Sequence, residues 1–108
     1  LPGCNSSCWT ADSNARQVLD QVALTAQTYS NAYIRVEGNT DSTGNPTRNV
    51  ALSQQRAQAV VNYLVPKYGF QRGRFIAKGN GPYKPRASNG TNAGRAKNRR
   101  TDIVVVPR

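Results

Sequence analysis

The chain is 108 residues long, which fits one domain and one modest hydrophobic core. Fifteen Lys and Arg against five Asp and Glu give a net charge of +10, which points to an anionic partner such as nucleic acid, anionic lipid or an acidic wall polymer. There is no His and no Met, and no apolar run approaches the roughly 18 residues of a membrane-spanning helix, so His-dependent catalysis and zinc sites are disfavoured from the outset. A chain that opens on Leu1 reads as a piece cut from a longer protein.

Residues 1–11 show no periodicity and read as an irregular leader, with the domain proper over 12–108. Cys4 and Cys8, in GCNSSCW, admit a short-loop disulfide in an oxidising compartment. A metal site would need further ligands that this chain lacks, and the proline of LPGC makes a poor lipid-attachment signal. Ala15, Val18, Leu19, Val22, Ala23 and Ala26 recur at the spacing of one buried helix face, predicting a helix over 13–28 capped by Asp12 or Ser13. Residues 33–37 alternate as a strand with one face on the core, ended by Gly38.

A turn-rich loop follows, with Asp41, Ser42, Gly44, Asn45 and Pro46. A second helix is predicted over 48–65, with Val50, Ala57, Val60, Val61 and Leu64 facing the core, and Pro66 and Gly69 stopping it. Residues 75–77 form a short strand, 79–90 a long loop, 93–99 a helical turn, and 103–106 a strand apolar on both faces and hence central. The patterns give an α+β fold: two helices packed on one face of a small mixed sheet, the first strand irregular or missing.

Few kinds of chemistry fit these residues. Nucleophilic catalysis wants an activating base, and the phosphate-binding and dinucleotide fingerprints are absent, so neither an enzyme nor a cofactor is expected. Glu37 and Asp41 are the nearest pair of acids, but Asp41 beside a helix start and an arginine is pushed toward permanent ionisation, which does not suit a general acid. The densest basic segment, GRAKNRR (94–100), has no interleaved aromatics, so a nucleic-acid module is the lesser reading.

What stands out is Asp41, followed fifteen positions later by Arg56 on the second helix, where Arg56 shares a face with Asn49. One reading is plain turn chemistry with a solvated arginine. A second is a salt bridge between the two. The third is a carboxylate pole and an arginine fork gripping the ammonium and carboxylate of a zwitterion.

GNTDSTG (38–44), NVALSQQRAQAVVNYL (49–64), RFIAKGNGPYKP (74–85) and GRAKNRRTDIVV (94–105) closely resemble the C-terminal domain of outer membrane protein A. That domain is shared with peptidoglycan-associated lipoprotein and flagellar stator proteins. The resemblance runs over about residues 15–106. It implies a βαβαβ sandwich that binds peptidoglycan non-covalently through the diaminopimelate of the stem peptide, anchoring a larger envelope protein to the wall in the periplasm of a Gram-negative cell. Carried over by motif, Asp41 takes the ligand's ammonium and Arg56 its carboxylate. Thr43 and Asn49 add hydrogen bonds, and Arg99 lies close to the site. The chain departs from the family pattern twice. Asn39 stands where the family carries His, a position that is not one of the ligand's charged anchors. The Phe-bearing first strand, which lends the pocket a wall, has no counterpart in LPGCNSSCWT.

Overall fold

In the computed structural model, which describes residues 7–11 and 16–106 with side chains from Leu19 onward, strand β1 (Ser7–Ala11) leads into helix α1 (Arg16–Thr28). Strand β2 (Tyr33–Asn39), helix α2 (Pro46–Tyr68), a 3-10 turn (Arg72–Arg74), strand β3 (Phe75–Gly81), helix α3 (Asn92–Asn98) and strand β4 (Thr101–Val106) follow. The strands form one mixed sheet in the order β1-β4-β2-β3. β4 runs antiparallel to both neighbours, and β2 pairs in parallel with β3 across the α2 crossover. The expected Asp12 or Ser13 cap, the placement of Ala15, the side chain of Val18 and the Cys4–Cys8 pairing lie outside the described residues.

Both long helices cover the same face of the sheet. Ile34 and Val36 of β2 stand opposite Val105 and Ile103 of β4, and they share one buried cluster with Val22 and Ala26 of α1 and Ala57 and Val61 of α2. That is the α+β arrangement the patterns call for, and β4 is central as its apolar run requires.

The expected irregular leader is corrected over its last five residues. Ser7–Ala11 is an edge strand, with Ser7 opposite Val105 and Ala11 opposite Thr101. SCWTA shows no apolar/polar alternation, and an edge strand takes its backbone partners from β4 whatever its own pattern.

Two helix boundaries also differ. α2 begins at Pro46, because Asn45 is its N-cap: the Asn45 side chain accepts the Arg48 backbone N–H at 3.1 Å, and proline suits the first helical position. The helix also runs through Pro66, which removes one backbone donor without ending it. Its last turn is tied to α1, since Lys67 pairs with Asp20 at 3.1 Å and the Tyr68 hydroxyl also donates to Asp20. The stop is Gly69, left-handed at φ 70, whose N–H returns to the Val65 carbonyl.

Gly38 does not end β2 but lies inside it, at a close crossing. A Cβ on Gly38 would sit 2.1 Å from the Ser53 carbonyl oxygen, and one on Gly79 would sit 2.5 Å from the Gln54 nitrogen. The first turns of α2 therefore lie directly on the ends of β2 and β3, at a separation that only glycine allows. Ser53, fully buried in that crossing, donates to the Val50 carbonyl and accepts the Gly81 N–H at 2.9 Å.

Gly38→Ala should destabilise the domain by about 2–3 kcal/mol or prevent folding, because the clash is with backbone that cannot rotate away. Gly73→Ala, where an added Cβ meets nothing within 4 Å, should stay within about 0.5 kcal/mol of wild type. Denaturant midpoints of the two variants check the contrast.

Candidate functional site

The loop between β2 and α2 is anchored at both ends. Thr40 donates its backbone N–H to the Gly81 carbonyl at 2.9 Å, so the exit of β2 stays beside the end of β3. Asn49, one turn into α2, donates its side-chain amide to the Thr43 carbonyl at 2.7 Å. Between these ties, Asp41 is buried, and its Oδ1 accepts the Thr43 backbone N–H at 2.8 Å.

The second partner of Asp41 comes from the far end of the chain. Asn39 donates its backbone N–H to the Arg100 carbonyl at 2.8 Å, which continues the β2–β4 ladder one step past Thr101. That brings Arg99, the residue following α3, beside the loop, where its Nη1 meets Asp41 Oδ2 at 2.7 Å. The Thr43 backbone N–H is the main reason the Asp41 carboxyl lies below its ordinary value. Burial opposes that shift, and Arg99 reinforces it. Because the folded value lies below the unfolded one, Asp41 contributes stability above the usual carboxylate range of about pH 4, and that contribution is lost as pH falls through the lowered value.

Arg99 and Arg100 are neighbours with separate tasks. Arg100 forks onto Asp102, with Nε 3.1 Å from Oδ1 and Nη2 3.1 Å from Oδ2, in a pair whose side chains are only 7% and 8% exposed. This pair lies on the sheet face opposite the two long helices, within a polar network. Asn39 donates to Asp102 Oδ2 at 3.2 Å, and Asn80 donates to Glu37 Oε1 at 3.0 Å and to Asn39 Oδ1 at 3.2 Å. Burial pushes the Glu37 carboxyl up, but Asn80, Lys84 and Arg35 outweigh it and leave the group below its ordinary value. Arg100 also donates to the Lys84 carbonyl at 3.1 Å, and Asn98 accepts from the backbone of Arg86 and Ala87, so the 82–91 segment is pinned over this face.

The structure thus links four of the five site residues expected from sequence: Arg99 to Asp41, Asp41 to Thr43, and Thr43 to Asn49. Arg56 stands apart. It is exposed, and its guanidinium makes no hydrogen bond or ion pair with any described residue. It lies seven positions beyond Asn49, hence on the same helix face about 10 Å further along. The alternative of an Asp41–Arg56 salt bridge is therefore not what the fold builds, since Asp41 pairs with Arg99.

Gln54, beside Ser53 on α2, has a part that no expectation from sequence gave it. The Gln54 amide donates to the Ala77 carbonyl at 3.0 Å and accepts the Gly79 N–H at 2.7 Å, filling a stretch of the open β3 edge. A polar pair inside the otherwise apolar stripe from Val50 to Ala57 is the signal that would have found them. Among the described residues, no group of acids and cysteines could hold a metal ion.

Comparison with known proteins gives the family and the fold. The family model described as OmpA family matches residues 10–99. The chain is 44% identical over 97 residues to outer membrane protein A of Bordetella avium, covering 90% of this chain and 50% of that one. It is 42% identical over 89 residues to peptidoglycan-binding protein ArfA of Mycobacterium tuberculosis, covering 82% and 27%. Among solved structures, the peptidoglycan-associated lipoprotein from Burkholderia pseudomallei superposes with a TM-score of 0.78 at 33% identity, covering 88% of this chain and 80% of that one. The chain spans half or less of the length of these two curated relatives.

Arg100→Ala should cost about 3–5 kcal/mol, because it takes the forked guanidinium away from the buried Asp102 carboxylate. Arg99→Ala, which removes a half-exposed partner, should cost no more than about 1 kcal/mol. Thermal or urea melts of the two neighbouring variants measure the difference.

Proposed function

We propose that this chain, which belongs to the OmpA family, binds peptidoglycan non-covalently and anchors a larger envelope protein to the cell wall. The observation that carries the proposal is a pair of opposite charges tied to the same helix: the loop that holds Asp41 is bonded to Asn49 of α2, and Arg56 lies two turns further along that face. Asp41 is fixed as an anion by backbone and loop, and Arg56 presents on the Asn49 face of α2 a guanidinium with no partner among the described residues. The names of the relatives point the same way: ArfA is a peptidoglycan-binding protein, and the solved neighbour is a peptidoglycan-associated lipoprotein. Outer membrane protein A places that relative in the envelope, which is where a wall anchor works.

The finer reading is that the ligand is the diaminopimelate of the stem peptide. Its side chain ends in one carbon bearing both ammonium and carboxylate. Asp41 takes the ammonium, and the planar fork of Arg56 takes the carboxylate through two parallel hydrogen bonds. Thr43 and Asn49 hold the loop that aims Asp41, so their part is chiefly to keep the carboxylate in place. Binding requires no chemical step and no cofactor.

Asp41→Ala and Arg56→Ala should each nearly abolish pull-down by purified sacculi while the domain stays folded. Losing one member of a desolvated charge pair costs about 2–5 kcal/mol, and about 2.8 kcal/mol is already a hundredfold in affinity. Arg56→Lys should fail substantially as well, since an ammonium cannot reproduce the fork. Free diaminopimelate should displace the wall from wild type. Retention of full binding by either alanine variant, or failure of diaminopimelate to compete, overturns the assignment.

A further inference from the structure

Resting on the peptidoglycan reading of this same site, we propose that Arg99 is a tethered stand-in for the ligand's ammonium: it neutralises Asp41 in the free domain and is displaced when the ligand binds. The two sides of the Asp41–Arg99 pair are unequal. The Asp41 side chain is 11% exposed and the Arg99 side chain 49%. Arg99 reaches Asp41 from solvent through one nitrogen, at 2.7 Å from Oδ2, and its side chain makes no other hydrogen bond to a described residue. Its neighbour Arg100 is the opposite case, forked onto Asp102 with both side chains buried and a further bond to a backbone carbonyl.

An exchange at Asp41 is therefore simple to write. The Thr43 N–H stays on Oδ1, the guanidinium leaves Oδ2 for water, and the ligand's ammonium donates to Oδ2 in its place. The buried carboxylate keeps one cation throughout. The other pole involves no such competition, because the Arg56 guanidinium has no partner among the described residues. A tethered cation competes at an effective concentration in the millimolar range or above, so a free amine at low concentration does not hold the site. An ammonium whose own carboxylate is gripped by Arg56 does.

A stand-in and a ligand contact differ in the sign of their removal. Deleting a contact weakens binding. Deleting a competitor strengthens it, and by one common factor for every ligand that must displace it.

The test is calorimetric titration of free diaminopimelate, with sacculus pull-down alongside, on wild type, Arg99→Ala and Arg99→Lys, each checked by its melt. Arg99→Gln replaces the alanine variant if that one does not fold. The expected result is that Arg99→Ala binds both probes roughly two- to fivefold more tightly, the factor that an exposed ion pair represents. Arg99→Lys, which keeps a tethered cation, stays at wild-type affinity. If wild type binds and Arg99→Ala binds equally or more weakly, Arg99 is not a competitor, and the peptidoglycan reading stands without it. If neither protein binds either probe, both readings fall. Binding by Arg99→Ala alone supports the stand-in in its strongest form, a cation that closes the free site.

Discussion

The close crossing of α2 over the ends of β2 and β3 is the constraint from which the rest of the molecule follows. Two glycines bring helix backbone to within a distance that any side chain would forbid, and Ser53 is wedged into the crossing with its hydroxyl bonded on both sides. The helix start cannot drift from the strand ends, so the short segment between them has little freedom. It must turn sharply at Asn39–Thr40, drop Asp41 beside the sheet and enter the helix through Asn45 and Pro46. A loop with this composition on a looser scaffold would be plain turn chemistry. Here the same residues fix a carboxylate in a buried position, and Arg56 follows on the helix at a set distance.

The sheet's opposite face makes a second use of that geometry. β4 passes between β1 and β2, so residues entering it lie beside the exit of β2. Arg99 and Arg100 arrive there together and part: Arg100 turns into the polar network with Asp102 and Asn39, and Arg99 reaches the loop. One arginine is structural because it is buried and forked, and the other is exchangeable because it is exposed and singly bonded. Asn39, standing where the family pattern has His, fits this picture, since its side chain faces the structural network and not the Asp41 carboxylate.

How much of this was legible in the sequence depends on whether the deciding partner was local. Periodicity located the two long helices and three of the strands, because one apolar face produces a repeating pattern over many residues. It missed β1, whose pairing is supplied by β4. It read Gly38 as a terminator, since nothing local says that a helix will press on it. Asn45-Pro46 was a cap signal read as a turn, the two being chemically alike until the helix beyond is placed. Asp41 and Arg56 were visible as an acid in the loop and a base on the helix after it, but the counter-ion of Asp41 lies 58 positions away. Only the motif resemblance brought Arg99 near the site, and no spacing rule could have paired it with Asp41.

Charge at long range and charge at the site have separate roles. Each of the four acids with a described side chain, Asp20, Glu37, Asp41 and Asp102, has a basic partner within the domain, so the excess of cations faces outward. That excess attracts any anionic polymer and is screened within about 10 Å at ordinary salt, so it speeds encounter without choosing among partners. A zwitterionic side chain has no net charge and gains nothing from that field. It responds only to an anion and a cation held at a matching separation, the part that the proposed reading gives to the carboxylate of Asp41 and the guanidinium of Arg56. On the proposed reading, the surface brings the domain to the wall and the Asp41–Arg56 pair decides what it holds there. Arg99 stands between these roles, part of the outward excess by exposure and joined to the proposed site by its bond to Asp41.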